Sequence, residues 1–293
     1  MILVAGGAGF VGSAVVHAFR AAELPVRVLT RRPEKQDTLR AWGCEVVQGD
    51  FTDPESLRRA VDGCDTVVHF VAILLGSREA FERIMVQGTR DLVEAAKDAG
   101  VKRLALMSAL GTEEGHELTP YYHAKWEEEQ AVKYSGLEHV IFRPSFVFGG
   151  SGGILAQQIR LVRYSPVTPV LGRHRLQPIW IDDVAAFFTR AVTADEAPNR
   201  TFDLGGPDRL TWAELNALIR KTLGKRRLAF TMPPALLKAG ATVGQVLPPL
   251  HGARSAVEML DLGDNTCDPR PAMDAFGVTP IGVEEQVRRA VAA

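Results

Sequence analysis

Three groups of residues in this 293-residue chain have the types and spacing to do chemistry. The first is Gly6-Gly7-Ala8-Gly9-Phe10-Val11-Gly12, which follows the apolar run Met1–Ala5 and opens a helical stretch. Read as G-x-x-G-x-x-G it uses Gly6, Gly9 and Gly12; Gly7, Gly9 and Gly12 also satisfy G-x-G-x-x-G. Glycines at this spacing allow a tight turn, bring backbone N–H groups against a pyrophosphate and let the helix pack close to the strand. Strand, loop and helix agree, so the segment reads as a dinucleotide site with Phe10 and Val11 among its contacts; the plain alternative is a glycine-rich turn. The second group is the tip of the next strand, Leu29-Thr30-Arg31-Arg32. An NAD site usually places an acid there for the ribose 2′-hydroxyl. Two arginines instead suit a 2′-phosphate, held by charge-assisted bonds. The expected cofactor is therefore NADP, with NAD as the alternative. Asp50, in Gln48-Gly49-Asp50-Phe51, either accepts from the adenine amino group or stabilises a turn, with Phe51 beside it. The third group is Tyr121-Tyr122-His123-Ala124-Lys125. Positions i and i+4 share a helix face, so Tyr121 and Lys125 point the same way. Of the four tyrosines only Tyr121 has a lysine four residues later. Surface packing of two amphipathic side chains is the plain alternative.

The elements that must position these groups alternate. Strands are expected at Met1–Ala5, Val26–Thr30, Glu45–Gln48, Thr66–Ala72, Arg103–Ser108 and Val140–Arg143. Helices are expected at Phe10–Ala22, Glu34–Trp42, Pro54–Val61 behind Asp53 as N-cap, roughly Ala80 to Ala99, and Pro120–Tyr134. This order implies right-handed βαβ crossovers and an α/β fold with a doubly wound parallel sheet of the Rossmann kind. The pattern breaks at Gly149-Gly150-Ser151-Gly152-Gly153, read as a hinge or turn. Residues 1–150 are expected to form the dinucleotide-binding domain, with 177–205 returning to it. The rest of 151–293 is expected to form a small, mostly helical C-terminal substrate domain.

Composition narrows the function. Lys plus Arg number 34 against 35 Asp plus Glu, a balance that gives no reason to expect a nucleic-acid surface. Three scattered cysteines make neither a disulfide framework nor a cysteine zinc site, and the histidines show no ligand spacing, so no metal is expected. The chain opens directly on a strand, with no n-region ahead of it, and a cytoplasmic location is the expectation. Met232–Leu250 carries one charge, Lys238. It reads as a packed substrate-domain helix, with a peripheral membrane segment as the alternative.

Taken together these motifs resemble the short-chain dehydrogenase/reductase superfamily in its extended and atypical branches, the NAD-dependent epimerase/dehydratase family. The resemblance rests on the glycine motif, Gly49-Asp50, His69-Phe70-Val71-Ala72, the Tyr121/Lys125 pair, Arg143-Pro144-Ser145-Phe146-Val147-Phe148-Gly149 and Pro178-Ile179-Trp180-Ile181-Asp182-Asp183-Val184, in the family's order. Trp126-Glu127-Glu128-Glu129 and the stretch 261–277 look most like the NAD(P)H-binding accessory subunit of respiratory complex I and its bacterial relatives. The resemblance implies Tyr121 as proton donor or acceptor at the substrate oxygen. It implies Lys125 on the nicotinamide ribose, lowering the tyrosine pKa. Pro144 and Ser145 would lie beside the nicotinamide, and Val71 and Ala72 near its ribose. The family's Ser or Thr at the end of the fifth strand aligns with Ala109, and Ser108, one step earlier, is the catalytic candidate in its place.

Three functions are therefore carried forward. The first is an oxidoreductase moving hydride between NADP(H) and a carbonyl or alcohol small molecule. The second is a non-catalytic NADP(H)-binding module of a larger protein assembly, and the third a sugar-nucleotide epimerase or dehydratase.

Overall fold

The computed structural model describes residues 1–150, 152–170, 174–195, 198–226, 228–231 and 263–293. Met232–Leu250 lies outside them. The chain alternates β1 (Ile2–Ala5), α1 (Phe10–Ala21), β2 (Val26–Thr30), α2 (Asp37–Ala41), β3 (Glu45–Gln48), α3 (Pro54–Val61) and β4 (Thr66–His69). A composite helix follows: α4 (Arg78–Phe81), a π-helical turn (Glu82–Gln87) and α5 (Gly88–Asp98). Then come β5 (Arg103–Met107), α6 (Thr112–Gly115), α7 (Pro120–Lys133) and β6 (Glu138–Pro144). Three short strand pairs lie outside the main sheet: β7 (Val147–Phe148) with β10 (Ile179–Trp180), β8 (Val167–Val170) with β13 (Leu228–Thr231), and β9 (Arg175–Leu176) with β12 (Leu210–Thr211). Among them lie α8 (Gly153–Tyr164), α9 (Ile181–Thr193), β11 (Arg200–Leu204) and α10 (Trp212–Thr222), and the chain ends in helices Arg270–Phe276 and Val283–Ala292.

Seven strands form one parallel sheet in the order β11-β6-β5-β4-β1-β2-β3. Side-chain parity explains why both faces are covered. Ile2 and Val4 of β1 enter one apolar cluster with α1 and α9, while Leu3 and Ala5 enter the other with α3 and α5. Such strands must be apolar throughout, and β1 is buried at every position. A third cluster, with Phe148, Leu155, Trp212 and Val287, gathers residues from the second half of the chain.

Strand order reverses between β1 and β4, whose successors run to opposite edges of the sheet. In sheets of this kind the ligand crevice lies at that point, beyond the C-terminal ends of the strands. The glycine loop follows β1, Val71 and Ala72 follow β4, Ala109 follows β5, and Ser145 follows β6.

Candidate active site

The glycine loop is shaped by contact. Gly6 sits at φ +84°, and a side chain there would meet the backbone of Phe70 and Val71 at 2.9 Å. At Gly12 a Cβ would lie 2.2 Å from Gly6 O, so this residue sets the approach of α1 to the loop. Gly7 fills a buried notch among Val4, Val16 and Val28. Gly9 differs: a Cβ there meets only Gly6 O, at 3.2 Å, and otherwise faces open space. Gly9 is also the N-cap of α1, which has no side-chain cap and no acid in its first turn. The N–H groups of Phe10, Val11 and Gly12 therefore converge on an uncapped, electropositive helix end. Open space at Gly9 and free donors behind it fit a pyrophosphate. The Phe10 ring turns away toward Gly149, Gly152 and Gly153, which lie so close that a Cβ on any of them would come within 2.8–3.0 Å of it. The glycine-rich segment is thus a seat for Phe10.

Arg31 and Arg32 stand exposed at the tip of β2, and neither side chain makes a hydrogen bond or salt bridge among the described residues. Asp50 Oδ1 accepts from the Thr52 N–H at 2.9 Å and from its hydroxyl at 2.8 Å, which stabilises the turn. Those bonds, Thr52 N–H foremost, with a smaller pull from Arg31, hold its carboxyl below the usual range. Phe51 is buried, its ring stacked on His69 at 4.9 Å.

At the other end of the crevice α7 presents two tyrosines. Thr119 caps the helix through the Tyr122 N–H, with Pro120 in the first turn. The Tyr122 hydroxyl donates to Leu110 O at 3.2 Å. The Tyr121 hydroxyl makes no hydrogen bond among the described residues. Tyr121 packs in a cluster with Phe81, Met85 and Val86, against which Ala72, Ile73 and Ala109 lie. Burial, and the negative charge of Glu128, raise its pKa well above that of a free phenol.

Ala109 thus lies against the Tyr121 cluster. Ser108 keeps the parity of Leu104 and Leu106 and faces α7, where its hydroxyl donates to Glu129 Oε1 at 2.6 Å. Lys125, only 1% exposed, donates from Nζ to Met107 O at 3.0 Å and Glu128 Oε2 at 2.9 Å. Val71 N–H donates to His69 Nδ1 at 3.2 Å. Pro144 ends β6 in register with Leu204, and the Ser145 hydroxyl donates to Asn265 Oδ1 at 2.6 Å.

Several polar residues here escape sequence reasoning. Glu129, buried, is gripped by Arg143 through Nε at 2.7 Å and Nη2 at 2.8 Å. Burial works to raise the Glu129 carboxyl, but Arg143, with Ser108 and Lys133, holds it below the usual value. Asn265 bridges Ser145 and Leu110 O, the latter at 3.0 Å, and so ties the C-terminal segment to the sheet. The Lys125–Glu128 spacing of i, i+3 is the one sequence signal that marks such a pair. Among the described residues no cluster of three His, Cys, Asp or Glu side chains could hold a metal ion, and no helix is long and apolar enough to cross a membrane.

Comparison with known proteins identifies the family. The family model described as NAD(P)H-binding matches residues 6–194. NAD(P)H azoreductase of Xenophilus azovorans is 33% identical over 243 residues, covering 80% of this chain and 79% of the relative. Ceramide reductase of Caulobacter vibrioides is 30% identical over 247 residues, covering 83% of this chain and 77% of the relative. The solved Citrobacter sp. triphenylmethane reductase complexed with NADP(H) superposes with a TM-score of 0.81 at 22% identity, covering 99% of each chain.

Proposed function

This chain belongs to the NAD(P)H-binding family, and we propose that it is an NADPH-dependent reductase of a small organic acceptor. The observation that carries the reading is an open phosphate loop at Gly9 together with an unbonded, buried phenol at Tyr121, both in segments that follow the C-terminal ends of sheet strands. When bound, the nicotinamide supplies the hydride. The chain's own residues bind, orient and donate. Phe10, Val11 and Gly12 offer N–H groups to the pyrophosphate across Gly9. Arg31 and Arg32, exposed and without a salt bridge among the described residues, select the 2′-phosphate. Asp50, whose Oδ2 makes no hydrogen bond among the described residues, accepts from the adenine amino group. Val71, Ala72, Pro144 and Ser145 wall the nicotinamide end.

Tyr121 is the proton donor in this reading. A neutral phenol can donate to an acceptor atom that gains charge as hydride arrives. The names of the azoreductase and ceramide reductase relatives support the reductive direction. The alternative is an NADP(H)-binding module without turnover. It draws on Ala109, which leaves Tyr121 without a hydroxyl partner.

Oxidation of NADPH, followed by its absorbance with a panel of carbonyl, quinone and azo acceptors, tests the proposal. The expected result is turnover, with kcat/KM for NADPH at least about tenfold above that for NADH, the equivalent of one lost charged bond. Tight NADPH binding with no turnover on any acceptor supports the module instead.

A further inference from the structure

The loops that follow β5 and β6 are joined by a residue from far along the chain. Asn265 reaches both: its Nδ2 donates to Leu110 O at 3.0 Å, and its Oδ1 accepts from the Ser145 hydroxyl at 2.6 Å. Ser145 Oγ also lies 3.1 Å from the Asn265 main-chain carbonyl oxygen. The segment that carries Asn265 is held by further bonds that do not involve its side chain. Asn265 N–H donates to Arg175 O at 2.8 Å, Cys267 N–H to Gln177 Oε1 at 2.9 Å, and Arg209 Nη2 to Cys267 O at 2.7 Å. Gln177 is itself buried and donates from Nε2 to Gly206 O at 2.7 Å.

These contacts fix the direction of one hydrogen. Leu110 O is a carbonyl and can only accept; it also takes the Tyr122 hydroxyl at 3.2 Å. The atom of the Asn265 amide that faces it is therefore the nitrogen, and the amide oxygen faces Ser145. Neither that oxygen nor the main-chain carbonyl has a hydrogen to give. The Ser145 hydroxyl must then donate its only hydrogen toward Asn265. Among the described residues no donor reaches Ser145 Oγ in return. The Ser145 N–H is spent on Leu204 O at 2.8 Å. Ser145 thus meets any ligand as an acceptor alone. On a nicotinamide the N–H donors are the two hydrogens of the carboxamide amino group; the carboxamide oxygen accepts, and the ring carries only C–H.

We propose that Asn265 is a positioning residue for the nicotinamide: by taking the Ser145 hydrogen it turns that hydroxyl into an acceptor for the carboxamide amino group, and so selects cofactors that carry one. The proposal rests on the reading that places Ser145 beside the nicotinamide.

Calorimetry with NADPH and with its acetylpyridine analogue, in which a methyl replaces the amino group and the carbonyl stays, tests it. The unmodified protein is expected to bind NADPH at least about threefold more tightly than the analogue, the share of one neutral hydrogen bond. Ser145→Ala is expected to remove most of that preference. Asn265→Ala takes away the acceptor at 2.6 Å and is expected to lower the preference by about half or more. Asn265→Asp keeps an oxygen toward Ser145 while giving up the bond to Leu110 O, and is expected to retain the preference. A merely structural tie would weaken both cofactors alike and leave their ratio unmoved. The proposal is overturned by equal affinities in the unmodified protein, or by a preference that Ser145→Ala leaves intact. It is overturned equally by a ratio that Asn265→Ala does not change or that Asn265→Asp loses. Should Asn265→Ala fail to fold, Ser145→Ala and Asn265→Asp still decide. Every reading is of binding and needs no turnover. Failure to bind NADPH at all breaks the cofactor reading, whereas NADPH binding without discrimination breaks this inference alone.

Discussion

The two ends of the crevice carry motifs of equal clarity but treat their functional groups in opposite ways. At the glycine loop what the motif promises is left free: open space at Gly9, an uncapped helix end, and two unpaired arginines. At the start of α7 the partners are spent. Ser108 serves Glu129, Lys125 serves Glu128, Tyr122 serves Leu110, and only Tyr121 keeps an unbonded hydroxyl. The difference comes from what each motif is made of. Glycines act through backbone shape, which steric contact enforces locally. A Tyr-x-x-x-Lys pair acts through long side chains, and any buried acid within reach can redirect them.

The comparison can be broken most severely at Gly12. Gly12→Val drives a branched side chain into Gly6 O, 2.2 Å from the Cβ position. Stability is expected to fall by about 3 kcal/mol or more, the upper end of overpacking, as read from denaturant unfolding. A variant as stable as the parent contradicts the contact. Gly9→Val separates binding from folding, since only Gly6 O lies near, at 3.2 Å. Its melting temperature should hold while NADPH affinity drops about 100-fold, roughly the 2–3 kcal/mol of lost charged hydrogen bonds. Unchanged affinity in a folded Gly9→Val protein makes the loop a mere turn.

A smaller effect is expected at the adenosine end. Arg31→Ala with Arg32→Ala should cost NADPH about 1.5–3 kcal/mol of binding and leave NADH nearly untouched. Calorimetry that finds equal NADPH and NADH affinities in the unmodified protein removes the basis for a 2′-phosphate site. A separate effect is on stability against pH. Burial raises the Glu128 carboxyl from an ordinary 4.5 to about 7, against the pull of Lys125. Between those values the folded chain holds more protons than the unfolded one, so stability declines as pH rises through that window. Glu128→Gln should flatten this decline in a melting series from about pH 5 to 8. A slope identical to the parent's shows that Glu128 gains no proton on folding.

How much could be read beforehand follows the same division. β1, the glycine loop, α1 and the parallel sheet were legible because a buried parallel strand must be apolar at every position and glycine punctuates sharply. The expected single helix from Ala80 to Ala99 is instead interrupted by a π-helical turn at Glu82–Gln87. The expected helix Glu34–Trp42 shrinks to a 3-10 turn at Pro33–Lys35 and α2. Helix Arg270–Phe276 went unseen because its prolines, Pro269 and Pro271, look like breakers while in fact standing at its start. In the site, Ala109 near Tyr121 follows from the family resemblance, which aligns it with the usual Ser or Thr. The fate of Lys125 does not, because nothing local says that Glu128, rather than solvent, receives it.

The account turns on Tyr121 as a lone, neutral donor, and a single substitution tests this most directly. Tyr121→Phe removes one hydroxyl that no described residue uses. With the best acceptor from the panel, turnover of NADPH is predicted to fall about 100-fold, the usual share of a general acid, while NADPH affinity stays within about twofold. Full turnover in Tyr121→Phe would contradict the account.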